Sequence, residues 1–531
     1  TRAARQAFLQ PDYMAVKHNP FLLPDMKKAV ARLKRAREQG EKIVIYGDYD
    51  IDGLSATALL LDAFGKFGFE DVDAFIPNRF VEGYGMTMGA VDKVRDMGAD
   101  LIVTVDTGSL CHAEIAYAAS LGIDTVVTDH HNVAETPPPS VAAVNPKFPG
   151  HTYPFRDLCG AGVAFKLVQA LQTELDGLPD GYEKWLLDLV ALGTVCDIVT
   201  LADENRANVY WGLEVLKKQQ RPGLKALMTV AGIEPERVNA RHLGFGLGPR
   251  MNAAGRLETA QHALDMLVAR DGLAALEASE KLEELNVKRR IIQDAIFEEA
   301  CVQAEQLADD RVLVVSSDGW NHGVIGIVAS KLVEKYKKPV FIIGERGEEA
   351  TGSARSFGDF SAADAVRAAD DIIIKGGGHG AAAGVTLGTE KIGDFRRRVN
   401  EFYDSLQLTS QERYLLPRAD VEIDDFSEID EELAANLAKM EPFGNGNPEP
   451  VLKITRASVL SMRRMGADGQ HVKLALRDKN GKVLQMLAFN APEEFFREPG
   501  DEVVAWFQPT VNEWQGVRTV EGRLLHIILL D

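Results

Sequence analysis

Three short clusters of acids and imidazoles carry the chemistry this chain could do. Asp48, Asp50 and Asp52 alternate with Tyr49 and Ile51. Asp106 opens Asp106-Thr107-Gly108, and Asp129-His130-His131 completes the set. Each follows a short apolar run: Ile43-Val44-Ile45, Leu101-Ile102-Val103-Thr104-Val105 and Thr125-Val126-Val127-Thr128. Carboxylates gathered in one place repel one another, and a divalent cation reverses that balance. Oxygen donors with a minority of imidazole suit Mn2+ or Mg2+, whereas a structural zinc would draw thiolates. Taken singly, each motif reads as an Asp/Gly turn or a helix cap. Three of them ending similar runs in order make that bland reading poor. Asp197, in Leu192-Gly193-Thr194-Val195-Cys196-Asp197, is a fourth candidate ligand, with helix capping as its alternative.

Elements must deliver these groups to one place. From Lys42 to about Asn145 short apolar runs alternate with amphipathic segments such as 90–97 and 113–121, the pattern of a mainly parallel sheet. The C-terminal ends of such strands line a ligand crevice. Residues 1–40 read as an N-terminal arm with a helix over 26–38, and 41–270 as the first α/β domain. Residues 160–235 read as largely helical, interrupted at 193–203. Leucine spacing without Gly or Pro makes 273–307 one long helix, inside a connector at 271–308. A second α/β domain is expected at 309–408. Short β-type segments divided by Gly, Pro and Asn turns over 409–531 suit a small antiparallel barrel of the OB type.

Composition sets the class. The 531 residues are 46% hydrophobic and 26% charged, a balance with ample core for several domains. No apolar run reaches membrane-spanning length and no secretory signal opens the chain. Thr1 in place of Met is the mark of a fragment or trimmed chain. Cys111, Cys159, Cys196 and Cys301 are scattered, which suits a reducing cytoplasm and no thiolate metal site. The net charge of −20 argues against a nucleic-acid partner. Two stretches answer it. Arg241–Arg256 holds Arg241, His242, Arg250 and Arg256 without an acid, and Lys453–Lys473 holds Lys453, Arg456, Arg463, Arg464, His471 and Lys473 against Asp468 alone. Both are expected to form electropositive strips.

Further motifs suit phosphate. Gly248-Pro249-Arg250-Met251-Asn252-Ala253-Ala254-Gly255-Arg256 combines turn residues with two arginines, the side chain that grips phosphate bidentately. Gly376–Gly380 permits close backbone approach, with His379 as donor, and Gly352-Ser353-Ala354-Arg355-Ser356 offers hydroxyls and a guanidinium. Each of these loops is weak evidence alone.

Together the motifs resemble the DHH phosphoesterase superfamily and, within it, the RecJ family of bacterial single-strand-specific 5′→3′ DNA exonucleases. The superfamily likeness rests on the Asp triplet, Asp106, Asp129-His130-His131 and Asp197. The narrower one rests on residues 248–256, on His322-Gly-Val-Ile-Gly-Ile-Val-Ala-Ser at 322–330, on Gly376–His379 with Ala382-Ala383-Gly384, and on Pro442–Pro450. The resemblance implies a DHH domain, a long connecting helix, a DHHA1 domain and a C-terminal OB barrel. It implies a two-metal phosphodiester hydrolase that degrades single-stranded DNA to nucleoside 5′-monophosphates in recombination and repair. Asp106 would bridge two ions, Mn2+ or Mg2+, and Asp48, Asp50, Asp52, His130 and Asp197 would complete the shells. His131 would sit by the scissile phosphate. Arg79, Arg250, Asn252, Arg256, Ser353, Arg355 and His379 would hold the DNA backbone and its 5′ end. The barrel would hold trailing strand through charge and stacking, with Trp506, Phe507 and Trp514 as candidates and barrel core as their alternative.

The chain departs from the family pattern at three places. Tyr46 stands where many members place a metal-binding His, which makes Asp48 the substitute ligand. Thr107 stands where Asn is common, and Ala354 replaces a usual Gly. Beyond the barrel no further domain is expected, unlike the longer members. The resemblance also implies a monomer working with a single-strand binding protein and a helicase, away from any membrane. The competing readings are a DHH-type phosphodiesterase acting on short oligonucleotides or cyclic dinucleotides, and a nuclease-dead replication scaffold. The C-terminal barrel counts against the first and the intact acids against the second.

Overall fold

A computed structural model describes residues 2–83, 85–408, 411, 414–514 and 516–530, without the side chains of residues 2–4 and 514. The first sheet contains β1 (Ile43–Gly47), β2 (Val72–Phe75), β3 (Leu101–Val105), β4 (Asp124–Thr128) and β5 (Ala142–Val144), in the order β2-β1-β3-β4-β5. All neighbouring pairs are parallel. β1 and β3 are buried along their whole length, as continuous apolar runs covered on both faces require. The strand order reverses between β1 and β3, so a topological switch point opens there. Gly47 pairs with Val105, and Val105 with Thr128. The residues that follow them, Asp48, Asp106 and Asp129, therefore leave the sheet at one edge and one level.

The arm is less separate than the sequence suggests. Tyr13, Leu23 and Met26 are buried in the same apolar cluster as β1 and β3, and the expected helix runs Met26–Gln39. Helices Gly160–Leu171, Leu187–Cys196, Asp203–Lys217 and Pro222–Val230 fill most of the helical stretch. The break between the second and third of these begins at Asp197 itself, because Gly193 is still helical. Gly272–Gln306 is one unbroken helix of 35 residues, capped by Asp271, which accepts from Leu273 N and Ala274 N. At 1.5 Å per residue it spans about 52 Å. Its buried positions, among them Leu282, Leu285, Arg289, Ile296 and Ala300, keep a three-to-four spacing.

The second sheet has β6 (Leu313–Asp318), β7 (Val340–Arg346), β8 (Glu349–Arg355), β9 (Ile373–His379) and β10 (Ala382–Gly388), ordered β6-β7-β8-β10-β9. Only β6 and β7 are parallel. The third has β11 (Val421–Ile423), β12 (Leu452–Met465), β13 (His471–Arg477), β14 (Val483–Ala488), β15 (Glu502–Trp514) and β16 (Val517–Leu529). Pairing of β12 with β15 closes five of these strands into a barrel, and β11 adds at its side. Among the described residues no helix is long and apolar enough to cross a membrane.

Three expectations need correcting. Gly248–Leu257 is a helix, not a loop, and a π-helical turn at Leu243–Leu247 precedes it. Helical backbone is continuous from 240 to 257, and Pro249 comes just after the π turn, so its missing N–H falls where the hydrogen-bond ladder changes register. Ser353, Arg355 and His379 lie on strands β8 and β9, not in loops. Four of the six basic groups in the barrel's strip are not free charge. Lys453 pairs with Glu422 (2.8 Å), Arg456 with Glu502 (2.8 Å), Arg464 with Glu493 (2.7 Å) and Lys473 with Glu521 (2.8 Å). Phe507 is fully buried in the barrel core, and Trp506 is 5% exposed beneath Lys453, so neither ring is open to a base. The Trp514 side chain lies outside the described residues.

Candidate active site

Asp48, Asp52 and Asp106 are 2%, 1% and 1% exposed, an extreme burial for carboxylates that no lysine or arginine pairs with among the described residues. Asp50 caps the helix Ile51–Phe67, accepting from Asp52 N (2.9 Å) and Gly53 N (3.1 Å). That cap turns the chain so that Asp52 enters the helix facing inward. Asp52 accepts from Gly160 N (2.5 Å) and Ala161 N (2.9 Å), at the start of the helix Gly160–Leu171. Asp106 sits in the left-handed region, at φ +61°. A non-glycine residue held there costs free energy, and such strain concentrates at functional sites. A Cβ on Gly160 would lie 2.5 Å from Asp106 Cβ, so this helix can start so close to the acids only with glycine.

His130 Nε2 lies 3.1 Å from Asp106 Oδ1, 3.5 Å from Asp197 Oδ2 and 3.8 Å from Asp52 Oδ2. None of these approaches has hydrogen-bond geometry. Asp48 Oδ1, Asp106 Oδ1 and His130 Nε2 are all buried with no hydrogen-bond partner. Three orphaned lone-pair donors converging in one cavity fit divalent cations and little else. The donors fall into three groups whose ligand atoms lie within 4.8 Å of one another: Asp48, Asp50 and Asp106; Asp52, His130 and Asp197; and Asp106, His130 and His131. Asp106 is common to the first and third, and His130 to the second and third.

The electrostatics agree. Burial, then the charge of Asp50, raises Asp48 to about 7 and Asp52 to about 6. Burial and the charges of Asp52 and Asp50 raise Asp106 far above the carboxylate range and Asp197 to about 8. Burial, then the charge of His131, holds His130 down at about 4, the neutral form that ligates metal. Asp129 differs. Burial pushes it up, yet the hydrogen bond and charge of His131, with backbone N–H groups of His131 and Ser109, hold it below the usual range. It accepts from Ser109 N, His130 N and His131 N, and lies 2.9 Å from His131 Nδ1. Burial opposes charging of His131, but Asp129 outweighs it and lifts the imidazole to about 9. Asp129 thus orients and charges His131, and belongs to none of the donor groups. Asn145 donates to Ser109 Oγ (2.8 Å) and His131 O (2.9 Å), a support that no sequence motif announced. Tyr46 is core: its hydroxyl donates to Gly85 O.

Next to the acids, arginines collect. Burial, then the charges of Arg79, Arg289 and Arg355, lowers Arg256 to about 10. Three guanidiniums close enough to perturb a fourth, Arg256, make a place suited to an anion. Arg256 Nη1 donates to Gly323 O (2.8 Å), Arg79 lies over the Tyr49 ring (4.5 Å), and Arg79 Nε is buried without a hydrogen-bond partner. Arg355 Nη1 donates to Ser353 Oγ (3.2 Å). Ala382 pairs with Arg355 on one side and His379 on the other, so those two share a row of the sheet about 10 Å apart. Arg250 is placed differently. It is held by Glu283 of the long helix at 2.5 Å and donates to Gly246 O. Arg289 was missed by sequence reasoning. The available signal was a polar set at helical spacing, for Arg289 donates to Asn286 Oδ1 and Gln293 Oε1. A cavity of 1070 Å3 runs from Asn252, Arg256 and Arg289 past Ile198 and Phe245 to Asn445 before the barrel.

Known proteins place this geometry. Residues 42–194 match the DHH family, N-terminal domain; 309–405 match the DHHA1 domain; and 419–526 match the RecJ OB domain. The single-stranded-DNA-specific exonuclease RecJ of Bacillus subtilis is 39% identical over 504 residues, covering 94% of this chain. The chain spans 62% of that relative's length. The exonuclease of the same name from Escherichia coli is 34% identical over 526 residues, 94% of this chain and 89% of the relative. The crystal structure of RecJ with Mn2+ from Thermus thermophilus superimposes with a TM-score of 0.80 at 31% identity, over 96% of this chain and 72% of that one. With all three domains matched and identity sustained across nearly the whole sequence, the chain belongs to the RecJ family of DHH proteins.

Proposed function

We propose that this protein is a metal-dependent exonuclease that degrades single-stranded DNA from the 5′ end, releasing nucleoside 5′-monophosphates. The observation that carries the reading is the set of orphaned donors Asp48 Oδ1, Asp106 Oδ1 and His130 Nε2 beside a pocket of four arginines. Asp48, Asp50 and Asp106 would hold one cation, and Asp52, His130 and Asp197 a second, with Asp106 shared. The hydrogen bonds that Asp52 accepts leave it further lone pairs. Two Mn2+ or Mg2+ ions bound there would activate water and offset charge on the phosphoryl oxygens. His131, kept protonated by Asp129, donates to a phosphoryl oxygen of the scissile group. Arg79, Arg256 and Arg355 with Ser353 and His379 bind the terminal phosphate, which sets the polarity. Arg250 and Asn252 line the path of the strand.

We assign the DHH domain to 41–270, the connecting helix to 271–308, the DHHA1 domain to 309–408 and the OB barrel to 409–531, after an N-terminal arm. Three separate sheets support these divisions. The four cysteines are free, which suits the cytoplasm. There the enzyme would act as a monomer in recombination and repair, on strands opened by a helicase and coated by a single-strand binding protein. A strand labelled at either end tests the reading in Mn2+. Mononucleotides should appear first from the 5′ label. Their appearance first from the 3′ label would reject the polarity, and no release from either would reject the activity.

A further inference from the structure

The segment that leads into the barrel is clasped to the loop that follows Asp197. Leu201 N donates to Asn445 O at 2.7 Å, and Asn445 Nδ2 donates to Ile198 O at 2.8 Å. The segment is itself a tight turn, with Gly444 N donating to Asn447 O (2.9 Å) and Asn447 N to Gly444 O (3.1 Å). Asn447 Nδ2 ties its entry by donating to Met440 O and Pro442 O. Buried Arg206 donates to three successive carbonyls there, Met440 O (3.0 Å), Glu441 O (2.8 Å) and Pro442 O (3.2 Å). The fit leaves no slack: a Cβ on Gly446, at φ +74°, would meet Thr200 Cγ2 at 2.5 Å.

What this clasp holds is strained. Ile198 lies in the left-handed region at φ +59°, a conformation that β-branched residues rarely adopt. Its side chain is 70% exposed, so packing of that side chain does not hold it there. Strain of this kind persists only where the surroundings over-determine it. Here the surroundings are the Asn445 turn. Asp197 immediately precedes Ile198 and is the last residue of its helix's register, with its N–H bonded to Gly193 O. The carboxylates of Asp52 and Asp129 are steadied by backbone N–H groups. Among the described residues no hydrogen bond reaches the Asp197 carboxylate. Its aim depends on the backbone that carries it.

We propose that Asn445 is a positioning residue of the metal centre: by holding Ile198 left-handed it fixes the direction of Asp197. The lead segment of the barrel then completes a site built by the first domain. The proposal rests on the assignment of Asp197 as a metal ligand, and the test separates the two. Mn2+ binding to the full chain is measured by calorimetry, together with kcat and KM on single-stranded DNA. Asp197→Ala should lose one of two Mn2+ equivalents; retention of both would reject the ligand assignment itself. Asn445→Ala should weaken that same equivalent by about tenfold, the scale of losses at groups that orient ligands. Its kcat should fall in parallel while KM holds. Asn445→Asp, which keeps the side-chain shape and loses the donor, should match it. Ile198→Gly supplies the decisive background, since glycine turns left-handed without strain. There the effect of Asn445→Ala on Mn2+ affinity should vanish. Unchanged Mn2+ affinity with a raised KM would make Asn445 a strand contact and overturn the proposal. So would a Mn2+ defect that persists undiminished with glycine at 198, or one that only tracks a lowered melting temperature.

Discussion

The acid cluster at the edge of the first sheet and the basic strand β12 of the barrel look alike in sequence: each is a run of like charges. Folding treats them oppositely. Asp48, Asp52 and Asp106 converge in a buried cleft where His131, itself held by Asp129, is too little to balance them, and donor atoms are left over. Lys453, Arg456 and Arg464 of β12 each meet an acid brought in from 29 to 46 residues away. A run of like charge is therefore evidence of function only where the fold leaves it uncompensated. In the first region something must be supplied from outside. In the second the protein has already supplied it.

The sharpest way to break this contrast is to remove charge from the uncompensated region. Asp106→Asn keeps the shape and tolerates the left-handed backbone. It should lower kcat on single-stranded DNA by about 10²–10³-fold, the scale set by loss of one group aimed at transition-state charge. Binding of the strand should survive. Turnover near that of the parent chain in saturating Mn2+ would show that the cluster does not need its shared carboxylate.

Metal removal tests the same point through stability. A cation that binds only the folded chain stabilises it by about 2.7 kcal/mol at 100 times Kd. Mn2+ added to chelator-treated protein should raise the melting temperature, and the rise should be largely lost in Asp106→Asn. In the absence of metal, Asp106→Asn should melt higher than the parent chain, because folding no longer has to protonate one more acid that burial and neighbouring charge raise. An Asp106→Asn protein that melts lower without metal would mean that the cluster is not electrostatically frustrated.

Much of this site was legible in the sequence. Asp48, Asp106 and Asp129 could be read because each follows a strand-like run, and parallel pairing in register brings such ends together. The long helix was legible from spacing alone. The rest depends on partners far apart in the chain. Nothing local shows that Glu283 holds Arg250, or that Glu422, Glu493, Glu502 and Glu521 neutralise the barrel's cations. The 248–256 segment was misread because its glycines and proline look like turn chemistry, yet here the glycines let a helix pack tightly. Gly248 faces Cys196 Sγ, and Gly255 faces Ala260. Asp129 was legible as part of a motif but not in its role, which only its hydrogen bonds reveal.

The arginine pocket sits between the two extremes, charged and uncompensated but open to a substrate. Arg256→Ala and Arg355→Ala should each weaken engagement of a 5′-phosphorylated strand by about 1–3 kcal/mol, the cost of one charge-assisted contact. Mn2+ binding should be untouched. Arg250→Ala should cost less than either, because the Glu283 carboxylate already balances the charge of that guanidinium. Measured KM values for the three variants on one oligonucleotide check the order. Equal losses for all three would mean that the Glu283 pair opens when DNA arrives.

The smallest expected effect belongs to the barrel. Arg456 and Arg464 are exposed and paired with Glu502 and Glu493. Exposed pairs contribute about 0–1 kcal/mol, so removing them should leave the fold intact. A DNA phosphate could take either cation only by displacing its carboxylate, which exchanges one ion pair for another and gains little. Trp506 and Phe507 are buried and offer no stacking face, and the Phe496 ring is already covered by Arg464. The double variant Arg456→Ala/Arg464→Ala should therefore bind long single strands as the parent chain does. Each true phosphate contact removed from a single-strand site flattens the slope of log affinity against log salt by about 0.7. The double variant should show no flattening, whereas Arg256→Ala should show the loss of one contact. A flattening of about twice 0.7 in the double variant would mean that these ion pairs yield to DNA, and the barrel would then rank with the arginine pocket as a grip on the strand.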